Sequence, residues 1–222
     1  MATRTYQVKI TGKTPLLMHS DNIAWADQMD EWKDSAENKK GSKAGDDRSP
    51  AWRWLGCVYH DDNCIVIPSD NISRCIMEGG AMVPVPGGKS GKTFKAQSQS
   101  GMMTGEATWP LLIDGKPIDV KKVLALKKED SFSEHRKAVE KLGFVLFMKR
   151  AKIGQAKHVR VRPRFDKWSI EGTIVVWDDQ ITEGALREIL DYAGRYKGLG
   201  DWRPGGKTPG PQGMFSAEVK AA

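Results

Sequence analysis

Residues 156–167 read AKHVRVRPRFDK. Arg160, Arg162 and Arg164 alternate with Val159 and Val161. On an extended strand that period sends the three guanidiniums to one face, about 6–7 Å apart. This is close to the spacing of phosphates along an extended single strand. Lys149, Arg150, Lys152, Lys157 and Lys167 lie nearby, and from Lys149 to Lys167 the one acidic residue is Asp166. A solvated strand face usually mixes signs, so this clustering points to a polyanion. A second segment could serve the same chemistry. Residues 198–213, GLGDWRPGGKTPGPQG, hold six glycines and three prolines. Gly198, Gly200, Gly205, Gly206, Gly210 and Gly213 permit positive φ and close backbone approach. Consecutive free amides can form an anion nest. Lys197, Arg203 and Lys207 add charge, and Trp202 offers a stacking face. The competing reading is a structural turn that packs the last strand.

Two further segments are basic. Residues 34–51 carry Lys39, Lys40, Lys43 and Arg48, and residues 84–107 carry Lys89, Lys92 and Lys95. Both read as long loops, a length that in a compact domain goes with function or disorder. The motif GGKSGKT at 87–93 lacks the Walker spacing and reads as a basic loop tip. His19, Asp21, Asp27 and the pair Asp46-Asp47 could in principle position a metal near a phosphate. Ser20 and Asp21 read equally well as a helix cap. No complete catalytic constellation is visible. No catalytic or metal-ligating residue and no cofactor is therefore assigned.

The elements that must position these residues follow from periodicity. Tyr6, Val8 and Ile10 alternate in a half-buried strand. Trp25, Met29 and Trp32 fall at helical spacing after Ser20. WRWLGCVY (52–59) and CIVI (64–67) read as a hairpin around a polar turn, with Trp52 and Trp54 on one strand face. Ser69 or Asp70 caps a helix after Pro68. VKKVLALKK is a strand or a short helix. Ser131 and Glu134 form a capping box, and Thr182 caps a helix closed by Gly194. GFVLFMKR, WSIEGTIVVWD and MFSAEV complete the strands. The expected fold is α+β: a ferredoxin-like or RRM-like antiparallel sheet with helices on one face. One domain spans 1–222, with loop insertions at about 34–51 and 84–107.

Composition bounds the setting. The 222 residues carry 35 Lys plus Arg against 28 Asp plus Glu, a net charge of +7 that permits an anionic partner. No apolar run reaches the ~20 residues that span a bilayer. The start, MATRTYQVKI, lacks a signal-peptide core, so a cytoplasmic protein without a membrane partner is expected. Three sparse cysteines make a disulfide or zinc framework unexpected.

Three segments, in order, resemble the RAMP superfamily, which includes the backbone subunits of CRISPR effector complexes. They are YQVKITGKTPLLMHS, IVIPSDNISRC and ILDYAGRYKGLGDWRPGGKTPGPQGMFSAEV. In the helix after the Pro-Ser step the family often carries Lys then Gly. Here those places hold Ser73 and Arg74, and Arg74 would supply the cation. The resemblance implies sequence-independent binding of single-stranded RNA or DNA by copies arrayed head-to-tail along the strand. The two long loops would be finger- and thumb-like grips. A guide-RNA backbone in antiviral defence and a single-stranded DNA binding or annealing protein of phage recombination both fit. Some members of the superfamily cleave RNA through a loop aspartate and a metal, which leaves an endoribonuclease as one alternative. An assembly protein without nucleic acid is another.

Overall fold

In a computed structural model, residues 2–40, 49–88, 91–153 and 156–222 are described, without the side chains of 40, 150–153 and 156–158. The chain opens with β1 (Arg4–Gly12), a two-residue β2 (Leu16–Leu17), α1 (Ile23–Asp34) and α2 (Ala36–Lys40). A 3-10 helix over Ala51–Cys57 precedes β3 (Val66–Pro68), α3 (Ser69–Gly80), α4 (Lys95–Ser100), β4 (Met102–Thr104), β5 (Thr108–Ile113) and β6 (Lys116–Pro117). Then come α5 (Val120–Leu124), a 3-10 turn over Ala125–Lys128, α6 (Phe132–Lys141), β7 (Val145–Ile153) and β8 (Ala156–Phe165). β9 (Ser169–Val176), α7 (Glu183–Tyr192), a π turn over Ala193–Lys197 and β10 (Phe215–Ala221) finish the chain.

The fold is α+β with two antiparallel sheets. The larger runs β10-β1-β9-β5-β3, with β4 added beside β9 and β6 beside β5. The smaller runs β2-β8-β7. β1 pairs along its length with both β9 and β10, so its alternation is strict: Tyr6, Val8 and Ile10 are buried and their neighbours are not. Helices α3 and α7 cover that inner face and touch each other. They bury Ile72, Cys75 and Ile76 from one and Leu186, Ile189 and Leu190 from the other. Apolar burial of this kind contributes roughly 1.5–3 kcal/mol per large side chain.

Local signals held at two helix starts. Ser131 Oγ accepts the Glu134 N–H at 3.4 Å, and Thr182 Oγ1 accepts the Ala185 N–H at 3.2 Å. The reciprocal half of the capping box is absent: the Ser131 N–H donates to Glu129 Oε1 at 2.8 Å, and the Glu134 carboxylate is engaged by Lys137.

Five expectations are corrected. Residues 51–57 form a 3-10 helix rather than a strand, and Trp52, Trp54 and Leu55 are all buried by it. The expected hairpin shrinks to one bridge, His60 to Ile65, around a turn in which Asp61 Oδ1 accepts the amides of Asn63 and Cys64. Helix α1 begins at Ile23 with Asn22 at its cap position, so neither Ser20 nor Asp21 caps it. Segment 84–107 is not a plain loop. Phe94 is buried and anchors α4, and β4 joins the larger sheet. Gly194 does not close α7. The chain continues through the π turn to Gly198 at φ 68°, and Gly194 is small because a Cβ there would strike the Phe215 carbonyl. For VKKVLALKK the helical alternative is the observed one, as α5 and the following 3-10 turn.

Candidate nucleic-acid interface

The β7–β8 hairpin orders the basic cluster by register. Lys149 pairs with Arg160, Phe147 with Arg162 and Val145 with Arg164, so these six share a face. Arg150, Lys152 and Lys157 take the alternate register positions, opposite Val159, Lys157 and Lys152. The cluster is therefore divided between two faces. Within the arginine face the three guanidiniums differ. Arg164 donates to both oxygens of Asp166, at 2.7 and 3.2 Å, and its guanidinium sits 5.5 Å from the Phe147 ring centroid. Arg162 is ion-paired to Asp201 and its side chain is only 14% exposed. Arg160 is half-buried and has no carboxylate partner among the described residues.

The glycine loop reaches this face, but not as an anion nest. The amides of Gly198, Gly205, Gly206, Gly210 and Gly213 donate to the carbonyls of Ala193, Lys197, Arg203, Arg203 and Pro15. Apart from Gly206, its glycines are required by close packing. A Cβ on Gly213 would overlap the Leu199 carbonyl oxygen, and one on Gly210 would overlap the Trp202 ring. The loop instead delivers three side chains. Asp201 takes Arg162 through Oδ2, and its Oδ1 accepts the Trp202 N–H at 2.8 Å. Trp202 sits at φ 51°, a conformation uncommon for a bulky residue and found disproportionately at functional positions. Its ring stacks on Phe147 with centroids 6.5 Å apart and planes at 27°, and Lys149 Nζ lies 3.1 Å from its centroid. Arg203 forks onto Glu78 at 2.9 and 3.3 Å and also donates to the Lys197 carbonyl. Burial pushes the Glu78 carboxyl up, but hydrogen bonds from Arg203 and Arg74 outweigh it and leave the pKa below its ordinary value. Lys197 is half-buried and Lys207 exposed.

Three depressions adjoin one another here. The first, about 390 Å³, lies between α1, the 51–57 helix and β8, with Arg53, Arg160, Arg162 and His19 in its wall. The second, about 170 Å³, shares His19 and adds Tyr59, Asn71, Arg74, Asp201 and Arg203. The third, about 500 Å³, shares Arg74 and adds Glu78 and Lys95. His19 is the hinge of the series. Its ring nitrogens are each 3.9 Å from a carboxylate, Asp21 on one side and Asp201 on the other. Burial holds its pKa below the ordinary imidazole value, helped by the Arg162 charge and opposed by Asp201 and Asp21. Tyr59 Oη donates to the His19 carbonyl at 2.9 Å. Cys57 also faces the first cavity, but burial pushes its thiol up to about 11, so it is a thiol and not a thiolate.

The remaining sequence candidates scatter. Lys39 pairs with Asp34 at 3.2 Å on the α1–α2 segment, and Lys92 is exposed. The Lys40 side chain, and Lys43, Asp46, Asp47, Arg48 and Lys89 altogether, lie outside the described residues. Asp27 is exposed on α1. Among the described residues no three His, Cys, Asp or Glu side chains converge as metal ligands, and no helix is long and apolar enough to cross a membrane. The open face of the larger sheet offers no base-stacking platform. Its central positions Gln7, Lys9, Thr173, Glu171, Glu218 and Lys220 mix signs and include no aromatic ring.

His19, Arg53, Tyr59 and Asn71 were not singled out as binding residues by periodicity. His19 follows β2 and Asn71 lies in α3, Arg53 lies in the 51–57 helix and Tyr59 just after it, and β2 pairs with β8 at Leu17–Arg164 only in three dimensions. No protein-family model matches the chain, and no curated protein matches it.

Proposed function

We propose that the chain is a RAMP-like protein that binds single-stranded nucleic acid along its sugar-phosphate backbone. The observation that carries this reading is the continuous series of depressions joined through His19 and Arg74. Arg53, Arg160 and Arg162 outnumber Asp21 at one end, and Arg74 and Lys95 stand beside Asp70 and Glu78 at the other. Lys149 and Trp202 flank it as a cation on a ring. Positive groups beside an aromatic face are what sequence-tolerant strand binding needs. The strand order β10-β1-β9-β5, with α3 and α7 on one face, supports a ferredoxin-like assignment. Arg160 and Lys149 displace the counterions condensed on the phosphates, while Asp201 and Glu78 orient their partner guanidiniums for shared contacts. Copies pack head-to-tail along the strand, as a guide-RNA backbone or as a single-stranded DNA binding or annealing protein.

Fluorescence anisotropy with labelled single-stranded RNA, single-stranded DNA and duplex, each over a salt series, tests this. The expected result is binding to a single strand with a log–log salt slope of about −0.7 per phosphate contacted. Absence of binding to all three at low salt would overturn it. Strand scission lost in Asp21→Ala would move the reading to an endoribonuclease.

A further inference from the structure

Where the first two depressions meet, His19 keeps both ring nitrogens without a hydrogen bond among the described residues. Nε2 is 3.9 Å from Asp21 Oδ1 and Nδ1 is 3.9 Å from Asp201 Oδ2, too far to donate and near enough to feel the charge. Tyr59 Oη holds the His19 carbonyl, while 36% of the side chain stays exposed. The groups that face the ring come from several elements. Asp21, on its own segment, is 99% exposed, so water screens its charge. Asp201 gives the same Oδ2 to Arg162. Strand β8 brings Arg160 and Arg162, the 51–57 helix brings Arg53 and the neutral Cys57 thiol, and α3 and the glycine loop bring Arg74 and Arg203. Arg74 and Arg203 share Glu78. Arg53 and Arg160 are left without a carboxylate partner among the described residues, so the unmatched charge around the ring is positive. Burial and then the Arg162 charge keep the imidazole neutral against the pull of Asp201 and Asp21. A phosphate lying across this junction reverses the balance. It neutralises the guanidiniums that repel a proton, and it offers an oxygen to a ring N–H that has no other partner.

We propose that His19 is a strand ligand that gains its charge on binding: the neutral imidazole takes one proton from solvent and donates, as an imidazolium, to a backbone phosphate where the two depressions meet. The proposal rests on the strand-binding reading above and adds that the grip tightens as the solution becomes more acid. By reciprocity, the factor by which a phosphate raises proton affinity is the factor by which the proton raises strand affinity. Uptake is negligible well above both the free and the bound pKa, is greatest between them, and vanishes once the free protein is already protonated. Strand affinity therefore climbs as the pH falls through the imidazole range and levels off below it.

The test uses the full chain with oligouridylate and oligothymidylate that lack terminal phosphates, so that no group on the ligand titrates between about pH 5.5 and 8. Calorimetry near pH 6 in MES and in bis-Tris, buffers of different ionisation enthalpy, counts the protons exchanged on binding. The expected result is net uptake of up to one proton per bound protomer. Affinity at fixed salt should be at least about 5-fold higher at the acid end of the range than at the alkaline end, the lower bound of ordinary coupling. His19→Gln should abolish the uptake and flatten the pH profile, whatever affinity it retains. His19→Lys, whose charge is fixed, should give the same flat profile, so either variant decides the matter if the other fails to fold. Strand binding by the parent without uptake, or with proton release, would overturn the proposal. Uptake that survives in both His19 variants would overturn it too, and its loss in His158→Gln, opposite Ala151 on the hairpin, would place the proton there instead. Each of these outcomes leaves the strand-binding reading standing. No binding to either single strand at low salt across the pH range would sink both.

Discussion

The glycine loop and the arginine hairpin look like equivalent phosphate sites in the sequence, and the structure uses them in opposite ways. In the loop the backbone is turned inward. Five glycine amides are spent on protein carbonyls, and Arg203 is held by Glu78. In the hairpin the backbone is satisfied by strand pairing, and Lys149 and Arg160 are left to face outward. Glycine density thus reports how closely chain segments approach. Alternation of charge reports which face is available. The two regions meet at Trp202, which the loop holds and the hairpin receives through Phe147 and Lys149. The loop clamps the hairpin through Trp202, and in the proposed function the cationic groups of the hairpin are the ones that bind.

The sharpest way to break this comparison is Gly213→Ala. Gly213 has φ 72°, and a Cβ would overlap the Leu199 carbonyl. Left-handed strain and the clash together should cost at least about 2 kcal/mol. For a chain of this size that is a fall in Tm of roughly 4–8 °C, readable by calorimetry. The folded fraction should keep its salt slope. A Tm within a degree of the parent would mean that the loop is not packed as described.

Arg160→Ala should do the reverse. With no carboxylate partner among the described residues, it should leave stability within about 0.5 kcal/mol and flatten the salt slope by about 0.7. Arg162→Ala should combine both effects, because it strips Asp201 of its cation and loosens the loop. Equal behaviour of the two variants in denaturation and anisotropy would erase the distinction between free and paired arginines. Trp202→Ala should be intermediate. Losing the Phe147 stack and the Lys149 cation–π contact should cost about 1–2 kcal/mol and raise hydrogen exchange along β7 and β8.

What could be read beforehand was whatever is local. The alternation of β1, the arginine period of β8 and the caps at Ser131 and Thr182 depend on neighbours a few residues away. The 51–57 helix was missed because a short run with two tryptophans two apart has the same pattern as a strand, and only its burial against α6 and β8 decides between them. Helix α4 was missed for the opposite reason. KAQSQS has no apolar stripe, and it is held by the preceding Phe94 and by buried Gln97 and Ser98. The pairing of Arg203 with Glu78, 125 residues apart, and the position of His19 between Asp21 and Asp201 are tertiary facts with no local signature. The basic character of the site was therefore legible, and the division of its cations into bound and available was not.

The smallest expected effect is in pH dependence, and it separates the hinge of the groove from the clamp. His19 has a folded pKa below its unfolded value, so the unfolded chain binds the extra proton first. Stability on this account is full above about pH 6.5 and declines as the pH falls through that value toward the lowered folded pKa. Glu78 is also depressed, so its contribution is present above about pH 4.5 and is lost as the pH drops through its folded value. The two windows do not coincide. His19→Gln should flatten urea midpoints between pH 7.5 and 5.5 while preserving the fall below pH 4.5. Glu78→Gln should do the opposite and carry a stability cost at neutral pH, because it leaves Arg203, only 17% exposed, without its carboxylate. If His19→Gln changed only the acid limb, the imidazole would not be the titrating group at the junction. The coupling of groove and clamp would then have to run through Asp201.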